Sequence, residues 1–211
     1  MRNLVLQVQV TEDRHVRKGK QYEYIEELYA ASKEAAKGYA SRTGSEYRCL
    51  TSLMWVTGES ATFQKLALLG MDEYDYILYV DSDAIVQPDC PDIFSLGLSG
   101  LAAVPDFDPV LHRHAEDRKI HALGLLNRPF CAGVLFADRG WRQAVRWRVK
   151  RLMDDNKSMI EQDILNKAHD DVFEEYHQLS PDWGAWYCTG KYIDHFGGTR
   201  RKNEWKISGN R

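Results

Sequence analysis

Two carboxylates, Asp81 and Asp83, lie one residue apart directly after the apolar run Tyr76–Val80. Such a run of aromatic, branched and aliphatic residues is typical of a strand buried in a parallel sheet. Open α/β sheets bind ligands beyond the carboxyl ends of their strands. Two neighbouring carboxylates repel each other, and a divalent cation with hard oxygen ligands relieves that repulsion. The pair therefore predicts a metal site; the alternative is that both acids cap the following turn or helix.

Three further motifs follow in the chain. The segment Phe130–Phe136 has the pattern of a strand, and its small residues would let a ligand or a backbone approach closely. Residues 161–166 begin a predicted helix with two acids in its first turn. His195 is followed by two glycines and then by a basic group: Arg200, Arg201 and Lys202.

Composition narrows the class of protein. The chain has 211 residues, is 44% apolar and carries a formal net charge of -3, which suits a folded domain with no general attraction to nucleic acid. Its four cysteines show no metal-binding spacing. No apolar stretch reaches the length of a membrane span, and the amino terminus is too polar for a signal peptide. We therefore expect a soluble, cytoplasmic protein with reduced thiols.

Strands and helices are predicted to alternate, which favours an α/β domain with a mostly parallel sheet. Strands are predicted at residues 3–10, 47–55, 76–80, 101–104 and 130–137, and helices at 21–41, 61–69, 141–153 and 158–168. Residues 106–130 show no clear period and are predicted to be a lid or acceptor loop. Ser158 and Glu161 have the spacing of a capping box, which gives Glu161 a structural role.

In this order and at these separations, the four motifs resemble the GT-A-fold glycosyltransferases that use nucleotide-sugar donors, especially retaining families 8 and 34. The resemblance covers residues 60–205, and the compact size is also similar to that of the glycosyltransferase domains encoded by chlorella viruses. It implies one GT-A catalytic domain over residues 1–211, with a Rossmann-like sheet flanked by helices. Residues 1–105 would form the nucleotide-binding half and residues 106–211 the half for the donor sugar and the acceptor. In a virus, the enzyme would work in the host-cell cytoplasm.

The resemblance also assigns roles to individual residues. Asp81, Asp83 and His195 would bind the metal, which the mixed oxygen and nitrogen ligands predict to be Mn²⁺, with Mg²⁺ as the second choice. Gln162 would lie below the anomeric carbon, and Asp163 would hold sugar hydroxyls. The residues assigned to the nucleotide-sugar donor are Lys65, Asp81, Gly198, Arg201 and Lys202.

Four positions depart from the family pattern or have a second interpretation. Cys131 replaces an asparagine common in the family, which suggests a different donor sugar. Arg201 occupies the position of a family lysine, and no proline precedes Trp205. Lys65 could equally belong to a solvated helix face.

The implied activity is transfer of a sugar, expected to come from a UDP-sugar, to a hydroxyl of a glycan or glycoprotein, with retention. A phosphatase of the haloacid-dehalogenase type also has two aspartates after a strand, although its pattern differs at Ile85. A nucleotide-sugar-binding module without turnover is the other alternative.

Two other charged groups are expected to have no catalytic role. The basic segment Arg139–Arg151 is predicted to be a solvated amphipathic helix rather than a nucleic-acid or membrane surface. His112, His114 and His121 could form a second metal site, but their spacing is not specific, and they are expected to belong to the acceptor loop or to the surface.

Overall fold

A computed structural model describes residues 1–10, 16–17, 20–21, 26–52, 61–108, 110, 112–155, 158–186 and 189–196. The strands are β1 Asn3–Val8, β2 Val16–Arg17, β3 Lys20–Gln21, β4 Glu46–Leu50, β5 Tyr76–Val80, β6 Ala84–Val86, β7 Leu101–Pro105, β8 Phe130–Asp138, β9 His177–Gln178 and β10 Ile193–His195. The helices are α1 Glu26–Arg42, α2 Arg113–Leu123, α3 Arg139–Asp155 and α4 Glu161–Asp170, with 3-10 helices at Ala61–Gly70 and Ile93–Ser95.

Six strands form the main sheet in the order β4-β1-β5-β8-β7-β9. All run in one direction except β8, which pairs antiparallel with both β5 and β7. This confirms the predicted α/β fold with a mostly parallel sheet. A second, two-stranded sheet pairs β6 with β10, and this pairing brings residue 195 back to the carboxyl end of β5.

Both faces of the main sheet are buried. On β5, Ile77 and Tyr79 contribute to the core cluster that includes residues of α3, α4 and the first 3-10 helix. Leu78 and Val80 contribute to the opposite cluster, which includes residues of α1. Because successive side chains of a strand point to opposite faces, burial on both sides accounts for the uninterrupted apolar run before Asp81.

Several predicted boundaries are corrected. The strand predicted at residues 3–10 is β1 and ends at residue 8. The strand predicted at residues 47–55 is β4, which spans Glu46–Leu50, and residues 53–55 of that prediction lie outside the described part. Residues 106–130 are predicted to be irregular, but they contain α2, whose C-terminal cap is Gly124 with a φ of 59°. None of the α2 residues is buried, so no apolar period marks this helix.

One predicted role on α4 is wrong, and one buried residue of α3 was not expected. Helix α4 begins without a side-chain cap, because its cap position is Ile160 and no capping hydrogen bond forms there. Glu161 instead turns toward Lys65. Helix α3 is amphipathic as predicted and buries Trp141, Val145, Val149 and Leu152, but its buried face also holds Arg142, which is fully buried among backbone carbonyls.

No helix in the described part of the chain is long and apolar enough to cross a bilayer. Of the four cysteines, the three in this part, Cys49, Cys90 and Cys131, are free thiols.

Candidate metal centre and active site

The three predicted metal ligands meet at the carboxyl end of β5. Asp81 follows that strand and its backbone N–H donates to the carbonyl of Gly133 at 2.7 Å. His195 lies opposite Ala84 in the β6–β10 pair, and the next residue, Phe196, donates its N–H to the carbonyl of Asp83 at 2.8 Å. Backbone pairing therefore holds together residues that are more than a hundred positions apart.

The ligand atoms form a compact set. The Nε2 atom of His195 lies 3.7 Å from Oδ2 of Asp81 and 3.4 Å from Oδ1 of Asp83. One ligand atom from each of the three residues lies within 4.8 Å of the others. Among the described residues, this is the one group of at least three His, Cys, Asp or Glu side chains placed so that it could hold a metal ion. Two carboxylates and one imidazole fit a divalent cation such as Mn²⁺, which accepts both oxygen and nitrogen ligands.

The other nitrogen of the imidazole is also engaged. Nδ1 of His195 lies 3.3 Å from the carbonyl oxygen of Gly184, a contact that fixes the ring with Nε2 toward the two carboxylates. His195 is only 5% exposed. Burial alone would lower its pKa, but hydrogen bonds with Asp83 and Cys131 and the charge of Asp83 raise that pKa well above its ordinary value. The pocket therefore favours positive charge at this position.

Lys65 lies beside this group, with an exposure of 5%. Its Nζ contacts Oδ1 of Asp81 at 3.2 Å, Oε1 of Glu161 at 3.7 Å and the carbonyl of Ala132 at 3.2 Å. Burial opposes its charge, but Asp81 and Glu161 raise the pKa of Lys65 above its ordinary value. The lysine is thus a buried cation shared by two acids, not a side chain on a solvated helix face.

The residues predicted to face the donor sugar lie on the first turn of α4. The backbone N–H of Ala132 donates to Oε1 of Gln162 at 3.1 Å, which joins α4 to β8. Asp163 pairs through Oδ1 with Nζ of Lys119 at 3.1 Å. The same ammonium lies 2.8 Å from Oδ2 of Asp106, so Lys119 links α2 to both acids.

Sequence reasoning missed three residues around the site. Tyr79 donates a hydrogen bond of 2.5 Å from its hydroxyl to Oδ1 of Asp81. It could have been found, because residues two apart on a strand share a face. Glu161 carried no comparable signal, because its partner Lys65 is distant in the sequence. Lys119 carried none either, because it contacts Asp106 from a helix that was not predicted.

The remaining predicted positions are not assembled into this site. Gly198, Arg201 and Lys202 lie outside the described residues. His112 stacks near Trp186, with ring centroids 6.2 Å apart, and the described structure does not bring His112, His114 and His121 together as a ligand set.

Comparisons with known proteins show the family and the fold. The family described as "Glycosyl transferase family 8" matches residues 8–206. No curated protein matches the chain. A glycosyltransferase involved in glycosylation of the major capsid of PBCV-1 is similar in structure, with a TM-score of 0.62, 15% identity and 100% of both chains covered.

Two other solved structures share the fold. The galactosyltransferase LgtC, in complex with donor and acceptor sugar analogues, gives a TM-score of 0.55 at 15% identity, covering 99% of this chain and 95% of its own. A mutant Drosophila β-1,4-galactosyltransferase 7, in complex with manganese, UDP-Gal and xylobiose, gives 0.51 at 14% identity, covering 97% and 74%. These likenesses show a GT-A fold.

Proposed function

The chain belongs to glycosyl transferase family 8 and is a glycosyltransferase, and on that premise we propose that it transfers a sugar from a UDP-sugar to a hydroxyl of a glycan or glycoprotein, with retention. The observation that carries the proposal is the convergence of Asp81, Asp83 and His195 at the end of β5. A nucleoside diphosphate is the anionic ligand that such a site serves in this fold.

The three residues would hold one Mn²⁺ ion, with Mg²⁺ as the weaker candidate. When bound, the cation supplies positive charge against the diphosphate as it leaves. The Drosophila relative was solved with manganese and UDP-Gal, which supports this pairing of metal and donor. Gly198 would let the backbone approach the diphosphate, and Arg201 and Lys202 would meet its charge.

The first turn of α4 supplies the proposed sugar contacts. Oε2 of Glu161 is buried and has no hydrogen-bond partner among the described residues, whereas Oε1 faces Lys65. Since a buried acceptor without a partner is costly, a hydroxyl of the donor sugar is the group we expect to satisfy it. Gln162, held at Ala132, would lie below the anomeric carbon, and Asp163 would bind further hydroxyls.

Among retaining mechanisms, charge pairing near Gln162 favours attack on one face of the sugar over a double displacement. A double displacement needs a carboxylate that is free to attack carbon. The two acids next to Gln162 each have one oxygen beside an ammonium, Oε1 of Glu161 beside Lys65 and Oδ1 of Asp163 beside Lys119, and this neighbouring positive charge makes both carboxylates weaker nucleophiles. We therefore propose that the acceptor hydroxyl attacks from the side of the leaving diphosphate, whose oxygen takes the acceptor's proton.

The two halves of the chain divide these tasks in the proposal. Residues 1–105 would bind the nucleotide, and residues 106–211 would bind the donor sugar and the acceptor and would also bring His195, Gly198, Arg201 and Lys202 to the metal and the diphosphate. The family match favours a glycosyltransferase over a phosphatase and over a non-catalytic binding module as the interpretation of the aspartate pair.

A donor screen tests the proposal. Nucleotide release is measured across UDP-, GDP- and TDP-sugars with MnCl₂ and with chelator, and the product anomer is assigned by NMR. We expect Mn²⁺-dependent release from a UDP-sugar and a retained anomer. Asp83→Asn should lower the rate on the order of 100-fold or more. The matched control is Asp89→Asn, which changes an exposed aspartate six residues further along the chain and should leave the rate unchanged.

Release that is insensitive to chelator, or that survives Asp83→Asn, would contradict the metal assignment. An inverted product would contradict the proposed stereochemistry and leave the donor assignment in place.

A further inference from the structure

Asp81 presents two different oxygens to two different surroundings. Its Oδ1 atom accepts from the hydroxyl of Tyr79 at 2.5 Å and lies 3.2 Å from Nζ of Lys65. Its Oδ2 atom lies 3.7 Å from Nε2 of His195. One oxygen is thus held by the protein, and the other faces the metal position.

The arrangement of Tyr79 follows from the strand. Asp81 directly follows β5, and its N–H still bonds to Gly133 of β8, so the alternation of the strand extends to residue 81. Side chains two positions apart then point to the same side, and the tyrosine hydroxyl extends toward the carboxylate. Tyr79 is 2% exposed and Lys65 is 5% exposed. Nζ of Lys65 also lies 5.3 Å from the centroid of the Tyr79 ring. We call Tyr79 and Lys65, packed together against Oδ1, the Asp81 clamp.

We propose that Tyr79 is a positioning residue for the metal centre, acting through the Asp81 clamp to hold Oδ2 of Asp81 toward the cation. This inference rests on the proposed function, because it takes Asp81 as a metal ligand. Without the hydroxyl of Tyr79, the carboxylate could turn about its side-chain bonds and pair with Lys65 through either oxygen. Groups that hydrogen-bond a metal ligand typically change metal affinity by about 10- to 100-fold when removed.

Lys65 cannot fix this orientation alone. Its ammonium is shared with Glu161 and the carbonyl of Ala132, and an ammonium is a rotating donor without a preferred direction. The tyrosine hydroxyl, on a ring packed in the core, supplies a directed hydrogen bond. Tyr79 is therefore the member of the clamp whose removal should loosen Asp81 without removing a charge.

The test is calorimetric titration with MnCl₂, alone and with saturating UDP, on purified full-length chain. In Tyr79→Phe, which deletes one oxygen, we expect Mn²⁺ affinity to fall about tenfold. Tyr76→Phe is the matched control on the same strand, because the Tyr76 ring stacks on Phe136 with centroids 5.4 Å apart, away from the metal centre. It should bind Mn²⁺ as the unmodified protein does.

A double-mutant cycle separates positioning from a general structural effect. If Tyr79 acts through Asp81, Tyr79→Phe should cause no further loss of Mn²⁺ affinity in an Asp81→Asn background. Thermal unfolding in chelator checks the fold of each variant. Tyr79→Met also lacks the hydroxyl but fills the core with a flexible side chain, and must show the same loss.

The outcomes are distinct. Unchanged Mn²⁺ affinity in Tyr79→Phe or Tyr79→Met, or an equal loss with and without Asp81, would overturn the inference and leave the proposed function intact. If the unmodified protein shows no Mn²⁺ binding that depends on Asp83, the proposed function fails and the inference fails with it.

Discussion

The backbone of Gly133 lies directly against the imidazole of His195. A Cβ atom built on Gly133 would lie 2.2 Å from Cε1 of that ring and 3.0 Å from Oδ2 of Asp81. Glycine is therefore required on β8 by the close approach of the proposed metal ligands, His195 and Asp81, and not by a backbone turn. The small residues of β8 are predicted to let a ligand or a backbone approach closely, and in the structure the group that approaches Gly133 is the side chain of His195.

Gly133→Ala should displace the ring of His195 and so lower Mn²⁺ affinity on the order of 100-fold. Isothermal titration with MnCl₂ and UDP measures the change. Gly140→Ala is the control, since a Cβ there meets only Oδ1 of Asp138 at an ordinary 3.5 Å and alanine favours the helix by about 0.5–1 kcal/mol. Normal Mn²⁺ affinity in Gly133→Ala would show that the ring is not held where the structure has it.

Lys119 should govern the attachment of α2. This helix buries no residue of its own, and it is attached through the contacts of Lys119 with Asp106 and Asp163 and through the ion pair of Glu116 with Arg128. Lys119→Met should therefore increase hydrogen exchange of the α2 backbone by several-fold while Mn²⁺ binding stays unchanged. Arg118→Met removes an exposed cation from the same helix and should have little effect. Equal exchange in both variants would refute this role.

His169 should make the fold sensitive to acid. Its ring is 2% exposed, accepts a 2.9 Å hydrogen bond at Nδ1 from the Trp141 indole, and stacks on Phe173. Burial lowers the pKa of His169 to about 4 from an ordinary 6.5. Because the folded state disfavours the charged ring, this contribution to stability is complete above pH 6.5 and is lost as pH falls toward 4.

Urea unfolding at pH 7 and pH 4.5 measures this loss. Between pH 7 and pH 4.5, the free energy of unfolding should fall by about 2 kcal/mol more in the wild type than in His169→Asn. The asparagine keeps a hydrogen-bond acceptor but does not titrate in this pH range. Parallel losses in the two proteins would mean that His169 is not buried as a neutral ring.

Arg142 should be important for stability although it carries no catalytic role. It is fully buried and donates to the carbonyls of Met71 and Tyr74, among others, while burial lowers its pKa to about 10. Arg142→Met leaves those carbonyls unpaired and should cost about 3 kcal/mol in urea unfolding. Arg151→Met, on the exposed side of α3, should change stability by less than about 0.5 kcal/mol. Similar values for both variants would contradict the buried position.

The main sheet and the acidic pair could be predicted because their signals are local. The run Tyr76–Val80 is apolar throughout since both faces of β5 are covered, and the same holds for much of β8. Helix α2 could not be predicted, because a helix that buries nothing has no apolar period to detect.

The electrostatics of the site depended on partners that sequence spacing does not reveal. Ser158 and Glu161 fit a capping box, yet the carboxylate of Glu161 pairs with Lys65, almost a hundred residues earlier. Lys65 itself could be placed on a helix but not known to be buried between two acids. Such pairs arise from the tertiary fold alone.

The most direct test of the metal centre is anomalous diffraction at the manganese edge from crystals grown with MnCl₂ and UDP. One strong peak should lie within coordination distance of Asp81, Asp83 and His195, with the diphosphate on its open side. A peak bound by other residues, or no peak in crystals that contain ordered UDP, would contradict the central claim that these three side chains form the metal centre of the glycosyltransferase.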